Sequence, residues 1–149
     1  MDTESLLRSL NARDVRYVVI GATAFPVHGY ARATLDVDLF VEPTEENSSR
    51  VRAALADFGY DVTDLTTEDL LTKKVLIRQY AVQTDLHPFV KGATWAEVWA
   101  NRVQAVLGRT PAFFASLDDL IRMKEAAGRP KDLEDLRVLI RLRENAGPE

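Results

Sequence analysis

Short apolar runs and apolar residues at helical spacing alternate along the chain. Leucine residues at helical spacing predict a first helix near residues 3–12. The apolar run at residues 16–20 predicts a strand that ends at Gly21, because a short apolar run bounded by glycine is typical of a buried strand. A helical turn or two is predicted from residue 22 to about residue 28, and Pro26 makes this segment short or bent because proline lacks an N–H group.

The rest of the chain predicts further strands and a series of capped helices. Strands are predicted at residues 36–41, at residues 75–86 with a turn or bulge inside, near residues 103–107 and near residues 112–115. Four helices are predicted to begin at a capping residue, namely Thr44, Thr66, Thr94 and Ser116. Gly59 and Gly128 are the predicted ends of two of these helices, and Pro130 lies at the start of a final helix. This order of elements predicts an α/β (α+β) fold, in which a mixed β-sheet is flanked by helices and the chain finishes in helices.

Composition bounds the size and the class of the protein. A chain of 149 residues fits one domain, residues 1–149, and 46% apolar residues with 28% charged residues suffice for a packed core. The absence of cysteine excludes a disulfide framework and any thiolate metal site. The start of the chain is acidic, and no apolar run approaches the roughly 18 residues that a membrane span needs. A cytoplasmic protein with no membrane partner is therefore expected.

Charge is unevenly distributed along the chain. The formal net charge of −4 argues against bulk electrostatic capture of nucleic acid, which usually requires a basic domain. Acidic residues dominate from Asp36 to Asp69, whereas the last third of the chain is rich in lysine and arginine. An acidic cation-binding region that faces a basic anion-binding region would suit a complex of a divalent metal with a triphosphate.

Three aspartates are the leading candidates for chemistry. Asp36 and Asp38 project to the same face of a strand, since side chains alternate along it. Such a pair is either exposed to solvent or neutralised, and a hard divalent cation such as Mg²⁺ is a suitable partner. Asp85 lies in a second strand between apolar neighbours, where an unpartnered carboxylate would be costly. If the two strands are neighbours, three carboxylates converge, which suits two-metal phosphoryl transfer.

Several other residues are candidate phosphate ligands. Backbone N–H groups at Gly21 and Ala22, where a strand turns into a helix, could hold a phosphate, or the segment is an ordinary turn. Lys124 continues an apolar helical stripe, so its ammonium group either meets an anion or extends to solvent from the edge of the stripe. Arg32 and Thr34 share the face of the first two aspartates if that strand starts early, and they would then contact phosphate or pair with the carboxylates.

The remaining polar and aromatic candidates have simpler interpretations. Asp132 and Asp135 cluster near the start of the last helix, where acidic residues suit the helix dipole. His87, two residues after the third aspartate, could reach the same site, although a proline follows it. Trp95 and Trp99 are four residues apart on one helix and are interpreted as core residues rather than as a platform for base stacking.

Two groups of motifs resemble a known superfamily. The sequence combines apolar-Gly21-Ala22, thirteen intervening residues, Asp36-Val37-Asp38-Leu39 and a later Thr84-Asp85-Leu86. This combination resembles the signature of the DNA polymerase β-type nucleotidyltransferase superfamily. In addition, residues 28–38 and 117–135 are similar to segments of small bacterial nucleotidyltransferase-like proteins related to the AbiEii toxins. Ala22 departs from the pattern, because the superfamily usually has a second glycine or a serine at that position.

The resemblance implies a fold, a cofactor and roles for individual residues. It implies a nucleotidyltransferase fold that binds a nucleoside triphosphate with Mg²⁺ or Mn²⁺. Asp36 and Asp38 would hold the metal ions that bind the triphosphate. Asp85 would hold the catalytic metal and help to deprotonate the attacking hydroxyl group.

Two functional hypotheses follow from the sequence. The first is transfer of a nucleoside monophosphate to a hydroxyl acceptor, which would be RNA such as transfer RNA, a protein or a small molecule. The protein would then be the toxin-like partner of a toxin–antitoxin system, or it would need a second subunit to complete the acceptor site. The second is a catalytically degenerate module that binds nucleotide or a partner protein, such as a cognate antitoxin. The change at Ala22 favours the second hypothesis, and retention of all three aspartates favours the first.

Overall fold

The computed structural model describes residues 1–146 and contains a six-stranded mixed β-sheet flanked by helices. The helices are α1 (Thr3–Ala12), α2 (Glu45–Phe58), α3 (Thr67–Thr72), α4 (Trp95–Ala100), α5 (Leu117–Ala127) and α6 (Leu133–Ala146). The strands are β1 (Tyr17–Ile20), β2 (Asp36–Val41), β3 (Val75–Ile77), β4 (Gln83–His87), β5 (Val103–Leu107) and β6 (Thr110–Phe114). Two 3-10 helices span Gly21–His28 and Pro130–Asp132. This architecture confirms the predicted α/β (α+β) fold.

The sheet has the strand order β3-β4-β2-β1-β6-β5. Strands β2 and β4 are parallel neighbours, and their register places Asp38 beside Asp85. Strand β1 pairs antiparallel with β2 on the other side, where Ile20 lies opposite Asp38. The sheet is mixed because β1 is also parallel to β6, whereas β3 and β5 form antiparallel edges. The middle of the sheet therefore holds the strands that carry the three aspartates.

Helices cover both faces of this sheet. Thr84 and Asp85 point to opposite faces because side chains alternate along a strand. On the Thr84 face, Tyr60 follows α2 and places its hydroxyl group 2.8 Å from Thr84 Oγ1. On the Asp85 face, Trp95 of α4 packs against Phe40 with a ring-centroid distance of 5.3 Å. The aspartates thus face a layer of helices rather than open solvent alone.

The predicted helix ends are confirmed in detail. Each capping residue accepts a hydrogen bond from a backbone N–H group three positions later, which satisfies one of the free donors at a helix start; these residues are Thr44, Thr66, Thr94 and Ser116. Gly59 and Gly128 follow α2 and α5 with φ angles of 118° and 60°, in the left-handed region that favours glycine. These features depend only on residues a few positions apart.

The structure differs from the predicted elements in three places and specifies a fourth more closely. The helical turns predicted at residues 22–28 form a 3-10 helix, Gly21–His28, with Pro26 inside it. The predicted strand at residues 75–86 is two antiparallel strands, because residues 78–82 turn the chain back between them. Strand β6 begins before residue 112, and α6 is preceded by a 3-10 turn.

Two remaining expectations concern the ends of elements and of the chain. Strand β2 spans Asp36–Val41, as predicted, so it does not start early enough for Arg32 and Thr34 to belong to it. The predicted domain extends to residue 149, and residues 147–149 lie outside the described range. Within residues 1–146, no helix is both long enough and apolar enough to cross a membrane.

Candidate active site

The three predicted aspartates lie on one face at the middle of the sheet. Asp36 and Asp38 are both partly buried and alternate with buried apolar residues along β2. Asp85 is directly opposite Asp38 on the parallel strand β4, and its side chain is only 9% exposed. The register of two strands that are far apart in sequence therefore produces the carboxylate cluster that the sequence suggested.

Gly21 makes room for this cluster at the end of β1. Its φ angle is 69°, and a Cβ atom added there would lie 2.7 Å from Asp38 Oδ2, closer than such atoms approach. The backbone thus passes next to the carboxylate as it enters the 3-10 helix, whose second residue is Ala22. Among the described residues, no side chain caps the start of this helix. Position 21 requires glycine because its backbone lies so close to the carboxylate of Asp38. The next position of the 3-10 helix holds the side chain of Ala22.

His87 completes a group of possible metal ligands. Its Nε2 atom lies 2.9 Å from Asp38 Oδ1, and one ligand atom from each of Asp38, Asp85 and His87 falls within 4.8 Å of the other two. Carboxylate oxygens and an imidazole nitrogen are donors that divalent metal ions accept. The residues present therefore fit a divalent metal ion. The sequence indicated His87 through its spacing: it lies two residues after Asp85, and residues two apart on a strand have side chains on the same face.

Two cationic side chains contact Asp85, and sequence reasoning missed both. Arg78 Nη1 lies 2.7 Å from Asp85 Oδ1, and Lys74 Nζ lies 3.8 Å from Asp85 Oδ2. The hydrogen bond to Asp85 raises the pKa of Arg78, and the charges of Asp36 and Asp38 raise it further. The carboxylate cluster thus attracts cations. Only the hairpin between β3 and β4 brings these two side chains back to the site, so no local pattern identified them.

The carboxylates open into a cleft of about 640 Å³ that also carries positive charge. Five cationic side chains line it: Lys74, Lys91, Lys124, Arg129 and Lys131. Apolar contributions come from Phe25 on the 3-10 helix and from Leu120 and Met123 on α5. The acidic middle of the chain and its basic last third therefore face each other across one cleft. Such a cleft can bind a metal ion and a polyanion side by side.

Lys124 points into the protein and meets two carboxylates there. Its Nζ atom lies 2.9 Å from Asp132 Oδ1 and 3.4 Å from Asp135 Oδ2. Burial raises the pKa of Asp132, but hydrogen bonds from Arg129 and Lys124 outweigh this effect and lower it to about 2. Asp132 and Asp135 are both buried. The helix dipole alone is therefore an insufficient explanation for these two acids, because they neutralise the mostly buried Lys124 and also pair with the exposed Arg32 and Arg129.

Arg32 and Thr34 lie beside the cleft rather than in its lining. Arg32 forms an ion pair with Asp135, which also accepts a hydrogen bond from the Tyr30 hydroxyl group at 2.9 Å. Thr34 Oγ1 lies 3.2 Å from both the backbone nitrogen and the backbone oxygen of Asp36. Neither expected pairing with an aspartate carboxylate of β2 is formed. Their contact with phosphate stays a prediction.

The tryptophans contribute to packing, as predicted. Trp95 and Trp99 stack with ring centroids 5.3 Å apart, and Trp99 packs edge-on against Phe113 at 5.4 Å. The guanidinium carbon of Arg102 lies 3.7 Å from the centroid of the Trp99 ring. Both tryptophans are partly buried and pack against the core, in agreement with their interpretation as packing residues.

The sequence matches one protein family over most of its length. The model of a family described as "Nucleotidyltransferase of unknown function (DUF6036)" matches residues 2–140. The matched range contains the three aspartates, His87 and the lysine and arginine residues of the cleft. No curated protein matches the chain.

Proposed function

The chain belongs to the DUF6036 family of nucleotidyltransferases of unknown function, and on this premise we propose that it transfers a nucleoside monophosphate from a nucleoside triphosphate to a hydroxyl acceptor. One observation carries the proposal. Asp36, Asp38 and Asp85 converge on one face of the sheet, in a cleft that five cationic side chains also line. Carboxylates for metal ions and cations for phosphates are the two requirements of this reaction.

The three aspartates would hold Mg²⁺ or Mn²⁺. Asp36 and Asp38 would bind the metal that accompanies the triphosphate, and Asp85 would bind the catalytic metal. When bound, such ions offset the charge of the phosphate oxygens and lower the pKa of the attacking hydroxyl group. The proximity of Asp38 to Asp85 on adjacent strands supports this assignment, because one cation can contact a carboxylate oxygen of each.

The basic side of the cleft would bind the triphosphate. Lys124 and Arg129 already hold the carboxylate of Asp132, so phosphate oxygens would meet side chains that are oriented for an anion. Lys131 lines the same wall. The backbone at Gly21 and Ala22 would contribute N–H groups at the start of the 3-10 helix. Charge and geometry thus favour a polyanion next to the carboxylates.

The proposed reaction is a displacement at the α-phosphorus. The acceptor oxygen forms a bond to this phosphorus, the bond to the oxygen that bridges to the β-phosphate breaks, and pyrophosphate leaves. The carboxylate of Asp85 accepts the hydroxyl proton. Asp85 must release Arg78 and Lys74 for this purpose, so these side chains are expected to move toward phosphate oxygens as substrate binds.

The resemblance to AbiEii-related proteins favours RNA, such as the end of a transfer RNA, as the acceptor in a toxin-like role. Arg137 and Arg141 on α6 are exposed and lie about one helical turn apart, where they could contact a phosphate backbone. A protein hydroxyl or a small molecule would be the alternative acceptor. A cognate antitoxin or a second subunit would complete the acceptor site in either case.

Label transfer and calorimetry test the proposal together. We would titrate the four ribonucleoside triphosphates, with and without Mg²⁺, into the wild type and an Asp36→Asn/Asp38→Asn variant, and then follow transfer of an α-phosphate label to cellular RNA. Metal-dependent binding and transfer are expected in the wild type and lost in the variant. The control is Asp118→Asn, since Asp118 is 73% exposed on α5 and leaves the cleft intact. Equal activity in the double variant and the wild type would contradict the assignment of Asp36 and Asp38 as metal ligands.

A catalytically inactive module is the second candidate function. Ala22 replaces the glycine or serine of the superfamily pattern, and Arg78 with Lys74 neutralises Asp85. Both features favour nucleotide or partner binding without turnover. Triphosphate binding by the wild type with no label transfer to RNA, protein or small molecules would select this candidate.

A further inference from the structure

We propose that His87 is a nitrogen ligand of the metal ion in this cleft and that it makes the site prefer a transition-metal ion to Mg²⁺. The inference rests on the proposed function, which supplies the metal ion. It adds a residue to the three aspartates and specifies which class of metal they share with it. His87 contacts Asp38 directly, so the two side chains act at one place.

The separation between His87 and Asp38 is that of two ligands on one metal ion. Nε2 of His87 and Oδ1 of Asp38 are 2.9 Å apart. Two ligands at adjacent corners of an octahedron with bonds of about 2.1 Å lie about 3 Å from each other. An ion can therefore replace the hydrogen bond with little movement of either side chain. One carboxylate oxygen of Asp85 lies within 4.8 Å of a ligand atom of each of these two residues and can complete a three-residue set.

The placement of His87 on a strand holds this nitrogen toward the cleft. His87 follows the buried residue Leu86 on β4, and its own side chain is 15% exposed. The parallel register with β2 places it opposite Phe40, on the same face as Asp38 and Asp85. A ligand on a strand inside a sheet is held more precisely than one on a loop. The imidazole group is thus preorganised for a metal ion bound by the aspartates.

The other histidine of the chain has a different environment. The Nε2 atom of His28 lies 2.8 Å from the backbone oxygen of Ala115. That contact joins the 3-10 helix to the end of β6 and lies outside the group of metal ligands. His28 therefore provides an internal control with the same side-chain chemistry.

The donor set determines the metal preference. Carboxylate and water oxygens suit Mg²⁺, whereas an imidazole nitrogen suits transition metals such as Co²⁺ and Zn²⁺, and affinities rise from Mn²⁺ toward Co²⁺ at a given site. A site made of aspartates alone would accept Mg²⁺ readily. Adding the nitrogen of His87 shifts the balance toward transition-metal ions, because Mg²⁺ gains little from a nitrogen ligand.

Mn²⁺ spectroscopy detects the nitrogen ligand independently of activity. The full chain, stripped of metal with a chelator, would be loaded with Mn²⁺, and the coupling of the electron spin to nitrogen would be measured by pulsed electron paramagnetic resonance. We expect a nitrogen coupling in the wild type and in His28→Gln, and its loss in His87→Gln. Glutamine keeps a hydrogen-bond donor for Asp38, so the substitution removes the nitrogen ligand without freeing the carboxylate.

Titration with Co²⁺ and Mg²⁺ then measures the preference. We expect His87→Gln to lose at least about 10-fold in Co²⁺ affinity, with Mg²⁺ affinity nearly unchanged and with both affinities retained in His28→Gln. Bound Mn²⁺ without nitrogen coupling, or a Co²⁺ preference that survives in His87→Gln, would overturn the inference and leave the proposed function standing. Nitrogen-coupled metal with no triphosphate binding would instead support the inference and count against the proposed function. A wild type that binds none of the three metals would overturn both.

Discussion

The Nζ atom of Lys124 lies 2.9 Å from Oδ1 of Asp132, and the side chain of Asp132 is only 3% exposed. This ion pair joins α5 to the 3-10 helix that precedes α6. Arg129 donates to the same carboxylate from the loop between them. A triphosphate that approaches Lys124 would therefore compete with Asp132 for the ammonium group. The pair connects the stability of the C-terminal helices to the anion-binding wall of the cleft.

Replacing Asp132 by Asn should destabilise the protein strongly. The substitution leaves Lys124 without its nearest anionic partner in a mostly buried position, and breaking a buried ion pair costs about 3 kcal/mol. Urea denaturation followed by circular dichroism measures this free energy of unfolding. Glu134→Gln is the control, because Glu134 pairs with Arg137 at the surface and should change stability by less than about 1 kcal/mol. Equal losses in the two variants would contradict the importance of the buried pair.

Asp132 should also make stability fall at low pH. Its pKa is about 2 in the folded protein against an ordinary value of 3.8, so the unfolded chain takes up the proton first as the pH falls. The stabilisation is complete above the unfolded value and is lost between about pH 4 and pH 2, and it amounts to about 2 kcal/mol. Denaturation at a series of pH values should give a shallower slope in this window for Asp132→Asn than for the wild type. Equal slopes of stability against pH in the wild type and in Asp132→Asn would be evidence against a lowered pKa of Asp132.

Replacing Gly21 by Ala should separate backbone strain from damage to the metal site. The left-handed φ angle costs about 1 to 2 kcal/mol for a residue with a side chain, and the new Cβ atom would also displace the carboxylate of Asp38. Gly128→Ala is a matched control, since its φ angle is 60° but its added Cβ atom would make an ordinary contact at 3.7 Å. Both variants should lose stability, whereas only Gly21→Ala should lose affinity for Mg²⁺ or Mn²⁺ in calorimetric titration. Unaltered metal binding in Gly21→Ala would show that the close approach to Asp38 is unimportant.

Replacing Arg78 by Gln should strengthen the binding of a metal ion in the absence of nucleotide. The guanidinium group donates to Asp85 and therefore competes with any cation that needs this carboxylate. Titration of Mn²⁺ into the free protein should give a severalfold lower dissociation constant for Arg78→Gln than for the wild type. Arg137→Gln, which removes an exposed arginine of α6, controls for the change in net charge. Weaker metal binding in Arg78→Gln would mean that the arginine supports the site instead of competing for it.

Local features of the chain were predictable because they depend on neighbouring residues. A threonine or serine cap satisfies N–H groups within one turn of its own helix, and a left-handed glycine ends the helix that it follows. The strand at residues 36–41 alternates in a way that puts Asp36 and Asp38 on one face without any further information. The two carboxylates and most element boundaries were therefore accessible from the sequence.

The contacts that complete the site were not accessible in the same way, although the spacing of His87 from Asp85 suggested that His87 could reach the site. His87, Arg78 and Lys74 reach the aspartates only because β4 pairs with β2 and β3 folds back on β4. Sequence patterns describe one segment at a time, and they do not state which strands become neighbours or in what register. The same reasoning missed Asp132 as the partner of Lys124, because that contact requires the chain to turn between two helices.

The sequence by itself determined the order of helices and strands, the alternation of Asp36 and Asp38 and the requirement for a cation or solvent near them, because each of these follows from local geometry and charge. Tertiary structure alone decided that Asp85 lies opposite Asp38, that His87 contacts Asp38 and that Lys124 is neutralised by Asp132. The physical reason is that these contacts join residues brought together by strand register and helix packing. Their energies depend on burial and distance, which only the folded chain defines.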